Sequence, residues 1–186
     1  MQRNTVLLDA AIGVLADGGA RSLTHRAVDA RAGLPAGSTS NRFRSRDQLL
    51  VGVVQRVLER ERAVLAAVRP EPANAEELAD ALADVVDIVA GQHRDTTLAR
   101  QAVFAEAGIR PTVRAEIDRA RDRLADWMVP ALLRAGSTDV ARHHRMLLAL
   151  TDGLITHRII APDEDIDAAY AIRAMLTGLL GSVQAS

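Results

Sequence analysis

The sequence predicts an all-α protein of about nine helices, short ones first and long ones after, and three observations carry the prediction. Apolar residues recur at three- and four-residue steps almost throughout the 186 residues, the spacing that gathers them on one helix face. Alternating, β-branched runs that would signal strands are nearly absent. Glycine and proline fall where the apolar stripes stop, as at Gly18–Gly19, Gly33, Gly108, Pro111 and Gly136. Hydrophobic residues make up 48% of the chain and charged residues 25%, the balance of an ordinary globular protein and not of a disordered one. There is no internal repeat and no low-complexity segment.

Each element follows from local signals. A first helix is expected from about Arg3 to Asp17, with Leu8, Ile12 and Leu15 on one face and Gly18–Gly19 as its stop. Thr24 is a good N-cap for a second helix ending at Gly33. Pro35, with its fixed φ, opens a third and very short one. "SRDQ", Ser45 to Gln48, reads as a capping box that starts a long fourth helix, whose stripe from Leu49 to Val68 ends at Pro70. "RPEPANAEE", Arg69 to Glu77, is a hinge-like connection in which Asn74 and Glu77 cap the next helix. After it come helices carrying Leu78 to Val89, then Asp95 to Ala107, then Pro111 to Gly136 with a kink at Pro130. The last two are expected over Thr138–Ile160 and Asp165–Val183, joined by "APDED".

The net charge of −1 hides an uneven distribution. Residues 1–50 carry seven arginines against four acids, a net +3, and the remainder carries sixteen basic against twenty acidic residues, a net −4. A basic end on an acidic body suggests that this end meets a polyanion. Cysteine is absent, which excludes disulfides, thiolate metal sites and a cysteine nucleophile. Asp9 and Asp17 interrupt the first apolar residues, so the start is no secretory signal, and no apolar run approaches the roughly 20 residues that span a bilayer. A soluble, cytoplasmic protein with no membrane association is expected.

The stretch "AGLPAGSTSNRFRSRDQLL", Ala32 to Leu50, breaks the apolar pattern with small, hydroxyl- and amide-bearing residues followed by arginines at alternate positions. Helix, glycine turn, short helix is the helix-turn-helix arrangement. A helix entering a major groove needs compact side chains that donate and accept hydrogen bonds, and Ser38, Thr39, Ser40 and Asn41 are of that kind. Helix amino termini attract phosphate, and Arg42, Arg44 and Arg46 are spaced so that at least two reach phosphates beside the groove. Phe43 and Leu34 are expected to anchor the element on the first and fourth helices. The competing reading is a surface loop with a solvated arginine edge.

"LTHRAVDARAGLPAGSTSNRFRSRDQLL", Leu23 to Leu50, resembles the DNA-binding signature of TetR-family transcriptional regulators. Thr24, Arg26, Val28, Ala32, Gly33, Gly37, Phe43, Ser45, Arg46, Asp47, Leu49 and Leu50 match it in position and character. Three positions depart from it. Asp29 stands where the family usually has a small residue, and either tilts the helix pair or pairs with an arginine. Ser40 and Arg42 replace frequent tyrosines. The resemblance implies an N-terminal helix-turn-helix domain at 1–48, linked through helix 46–69 to a helical ligand-binding and dimerisation domain at 49–186. It implies a homodimer on a pseudo-palindromic operator in double-stranded DNA, and a repressor released by a small-molecule effector. Ser38 to Asn41 are then expected to read bases, while Thr24, His25, Arg42, Arg44 and Arg46 hold phosphates. Arg26, Pro35, Ala36 and Gly37 complete the expected DNA-binding surface. For His25, simple solvent exposure is the other reading. The rival function is a helical homo-oligomeric protein-interaction module that has lost DNA binding.

"MLLALTDGLITHRIIA", Met146 to Ala161, is apolar around more of its circumference than a monomer's surface helix needs, and Ala174 and Gly178 allow close helix approach. Two such helices from each subunit make the four-helix interface the resemblance implies, through Leu147, Leu150, Leu154, Ile155, Arg158, Ile172, Met175, Leu176 and Leu179. Ordinary core is the other reading. In a chain that is only 2% aromatic, Trp127, Phe104 and Tyr170 stand out, although core packing is the preferred reading for each. Arg100, Gln101, Phe104 and Trp127 lie in helices that line the cavity in similar proteins and are the expected ligand-binding residues. His25, His93, His143, His144 and His157 form no metal-binding spacing, and there is no phosphate loop or nucleophile motif. Neither a cofactor nor an enzymatic activity is expected.

Overall fold

The computed structural model of the chain describes residues 2–68, 71–164 and 166–181. The expected stop at Pro70, the start of the hinge at Arg69 and the helix limits at Asp165 and Val183 lie outside the described residues. Among the described residues there are nine helices: α1 (Gln2–Ser22), α2 (His25–Ala32), α3 (Ser38–Arg42), α4 (Arg46–Val68), α5 (Ala75–Ala90), α6 (Arg94–Ala107), α7 (Pro111–Arg134), α8 (Val140–Ile160) and α9 (Ala168–Gly181). None of these is long and apolar enough to cross a membrane.

The chain packs as two compact units. The first takes in α1 to α3, α4 through Glu61, α6 and α7 through Arg121; the second takes in the rest of α4 and α7 with α5, α8 and α9. These packing units cut across the sequence boundary at residues 48 and 49.

In the first unit the stripe of α1, Leu7, Ala11, Ile12 and Leu15, closes on Leu49, Leu50, Val53, Val54 and Val57 of α4 and on Ala99, Val103, Val113 and Ile117. Leu34 and Phe43 pack against this core, as expected of anchors for the short helix. α1 does not end at the glycine pair: Gly19 takes φ 66° and the helix resumes to Ser22 beyond the kink. The arginine of Arg110 joins α4 to α6 by pairing with Asp47 and with Glu106. In the middle of α4, Arg56 and Arg60 both pair with Asp9 of α1, at 2.7 and 2.9 Å.

The second unit is built around α5, whose Leu78, Leu82, Val85, Val86 and Val89 meet Leu132, Leu147, Ile155, Ile172 and Leu176. Asn74 and Glu77 cap α5 as the sequence suggested, the Asn74 side chain accepting from the Glu77 amide at 2.9 Å. α8 starts at Val140 and not at Thr138, because Asp139 is its cap and accepts from the Arg142 amide. Arg158 and Arg173 tie α8 and α9 to Asp87 and Asp80 of α5.

Candidate nucleic-acid interface

The helix-turn-helix is set by α2, α3 and the turn between them. Thr24 caps α2 by accepting from the Ala27 amide at 3.1 Å, and Gly33 ends it with φ 64°, a left-handed conformation that glycine adopts without strain. The next helix begins at Ser38, three residues after the expected Pro35. Residues 36 and 37 form a turn instead, in which Gly37 has φ 92°. The Pro35 carbonyl accepts from both the amide and the hydroxyl of Ser38, at 3.1 and 2.7 Å.

Asp29 is the side chain that holds α3. Its Oδ2 accepts from the Gly37 amide at 2.8 Å, and its Oδ1 accepts from the Thr39 amide at 2.7 Å and the Thr39 hydroxyl at 2.5 Å. Burial alone raises the pKa of this carboxyl. The bonds from Thr39 and Gly37 and the nearby His25 outweigh it, so the carboxyl stays below its usual range and remains an anion. Among the described residues the partners of Asp29 are Gly37 and Thr39 and not the expected arginine, and its carboxylate acts as the amino-terminal cap of the following helix.

That arrangement sorts the expected DNA contacts. Thr39, expected to read a base, faces inward and is wholly buried, because Asp29 takes its hydroxyl. Arg46, expected on a phosphate, donates to the carbonyls of Leu23 and Ala20 at 2.5 Å each and so closes the end of α1. His25 is half-buried and its Nε2 donates to the Phe43 carbonyl at 2.7 Å, fixing the exit of α3. Arg42 is exposed but tethered, its Nε donating to Asn4 Oδ1 at 2.6 Å. Thr24, Arg26, Pro35, Ala36, Ser40, Asn41 and Arg44 are exposed, while Gly37 and Ser38 are half-buried. The capping box also shifts. Ser45 Oγ accepts from the Gln48 amide at 3.2 Å, but the Gln48 carboxamide reaches back to the Arg44 amide.

The four expected ligand-binding residues fall in different places. In the first unit Arg100 is buried, paired with Glu61 at 3.0 Å and stacked 4.2 Å above the Phe104 ring, which Arg121 approaches from 5.8 Å. Arg100 is enclosed by these contacts, and Gln101 is half-buried beside it in sequence. Trp127 belongs to the second unit and lines a cleft of about 320 Å³ with Arg62, Leu65, Glu71, Asp126 and Arg134 among its walls.

The expected dimer residues divide as well. Leu147, Ile172 and Leu176 are wholly buried against α5, and Leu154 and Ile155 are buried too, so these five fill the inside of one chain. Leu150, Met175 and Leu179 are half-buried, and Arg158 is engaged with Asp87. Beside the exposed Arg142, Arg145, Arg173 and Thr177, α8 and α9 leave small or apolar residues exposed: Ala149, Gly153 and Ile160 on one, Tyr170, Ala174 and Gly178 on the other, with Ile160 74% and Tyr170 69% exposed. Five of the expected residues thus lie on the inner faces of α8 and α9, because an apolar stripe by itself does not say which neighbour covers it.

An all-helical chain carrying a capped helix-turn-helix near its amino end has the architecture of a DNA-binding regulator. Residues 7–53 match the profile of the bacterial regulatory proteins of the tetR family, and residues 73–182 match the tetracyclin repressor-like C-terminal domain. The chain belongs to the TetR family of transcriptional regulators. A TetR family member from Streptomyces coelicolor is 28% identical, with a TM-score of 0.75 over 97% of this chain and 99% of its own. The multidrug binding protein EbrR, in complex with ethidium, is 28% identical, with a TM-score of 0.74 over 96% of this chain and 98% of its own. A transcriptional regulator from Rhodococcus sp. RHA1 shares the fold at 19% identity, with a TM-score of 0.83 over 96% of each chain. No match was found among curated proteins.

Proposed function

We propose that the protein is a homodimeric repressor that reads a pseudo-palindromic operator and leaves it when a small molecule binds. The observation that carries this reading is the outward edge of α3. Ser40, Asn41, Arg42 and Arg44 are exposed in a row on an element that Asp29, His25 and Asn4 hold in place. Asn41 is the side chain suited to bidentate pairing with a base, and Arg44 and Arg26 supply exposed charge for phosphates. The DNA-binding part, residues 1–48, is joined through helix α4 to the ligand-binding and dimerisation part beyond it. The exposed small residues of α8 and α9 support a close-packed pairing of two copies, which a two-headed reader of a two-fold site requires.

For the effector, the cleft around Trp127 sets an aromatic ring among two acids, Glu71 and Asp126, and two arginines, Arg62 and Arg134, which suits a planar organic molecule with polar substituents. EbrR, bound to ethidium and in another complex to proflavin, supports that class. Selection from a random duplex pool followed by mobility shift tests the whole reading. A two-fold sequence should emerge, and ethidium added to the protein without DNA should quench the fluorescence of Trp127. Arg44→Ala should weaken binding to every duplex and lower the salt slope by about one unit. Asn41→Ala should instead alter preference at one base position, by about 1–3 kcal/mol. Equal weakening on all duplexes by both substitutions would remove the division between reader and clamp.

A further inference from the structure

Resting on the DNA-binding reading above, we propose that Asp29 is the positioning residue for base recognition: a carboxylate from α2 that caps and aims the reading helix α3.

Three observations carry this. α3 has five residues, far below the length at which a helix is stable alone, and its own N-cap is Gly37, which has no side chain to offer its first amides. Asp29, ten residues before Thr39, supplies what Gly37 lacks by accepting from two amides and one hydroxyl with its two oxygens. The carboxylate is 4% exposed, so the bonds are made inside the protein, where an unmet donor is most costly.

The consequence for reading is rotational. With Thr39 drawn inward by both its amide and its hydroxyl, the positions after it, Ser40 and Asn41, turn outward. The Gly37 and Thr39 amides already serve a protein carboxylate, so the amino end of α3 is closed to a DNA phosphate. Phosphate contacts fall to the arginines at its other end. A side chain in α2 thus sets which edge of α3 meets the bases without touching DNA itself. The small residue that the family usually carries at this position has no acceptor with which to do so.

Binding of the full-length protein to two duplexes tests this, one drawn from random-pool selection and one unrelated of equal length. Asp29→Ala should lose about tenfold or more on the selected duplex, the loss of a buried acceptor of roughly 1.4 kcal/mol, and stay within about twofold on the unrelated one. Thr39→Val, which keeps both amide bonds and removes one hydroxyl, should lose about threefold on the selected duplex alone. Hydrogen exchange adds a readout that needs no DNA: the Gly37 and Thr39 amides should exchange slowly in the natural protein and fast in Asp29→Ala. A fall of equal size on both duplexes makes Asp29 a stability residue and overturns the proposal, as does unchanged exchange. If the natural protein selects no duplex while the two amides stay protected, the DNA-binding reading is what fails, and the positioning role falls with it.

Discussion

Asp29 shows how one side chain converts a departure from a family pattern into a working part. Its carboxyl is held below the ordinary range by Thr39 and Gly37 donors that outweigh burial, with His25 the titratable group that faces it. A depressed carboxyl contributes stability above its unfolded value near pH 4, and that contribution disappears as the pH falls through the lower folded value. Thermal unfolding of the natural protein and of Asp29→Asn should therefore differ most near neutral pH and converge below about pH 4. A gap that widens on acidification would mean that the carboxyl is neutral in the folded protein. The sequence disclosed the acid but not its job, because the job needs Thr39 to turn inward. A threonine among serines and an asparagine in a candidate reading helix looks like another polar contact, and only its neighbour across the turn says otherwise.

At the scale of elements, the helix-turn-helix is fastened by side-chain bonds that run from one helix to another. Arg46 belongs to α4 but closes α1, and His25 belongs to α2 but fastens the exit of α3. The caps and turns made from neighbouring residues were legible in advance: Thr24 on α2, Gly33 after it, Asn74 with Glu77 on α5. Contacts that depend on tertiary approach were not, and Arg46 is expected on a phosphate for that reason. Arg46→Ala should lower the unfolding free energy by about 1–3 kcal/mol, since two carbonyls lose a charged donor. It should leave the salt slope of DNA binding unchanged, in contrast to Arg44→Ala. Chemical denaturation beside a salt titration separates the two effects, and a slope lowered by one unit would return Arg46 to the phosphates.

For the whole molecule, periodicity predicted nine helices with limits mostly within a few residues, since an apolar stripe and its caps are local properties. It could not say which face of α8 or α9 lies inside. Leu147 and Ile172 are apolar and buried in one chain, while the outer positions are residues that a hydrophobicity pattern barely registers, Ala149, Gly153, Ala174 and Gly178. On the proposed pairing through that outer face, Ala174→Arg should place a large charge where two copies meet. It should shift the sedimentation of the protein from dimer to monomer and abolish retention of the two-fold duplex, with little change in helix content by circular dichroism. A dimer that survives would move the interface elsewhere.

Arg110 has a mechanical meaning beyond its two ion pairs. By gripping Asp47, the second residue of α4, and Glu106, near the close of α6, it makes the reading head and α6 turn on a shared fulcrum. A displacement of α6 within its own unit would reach the start of α4 as leverage, with a single guanidinium as the linkage.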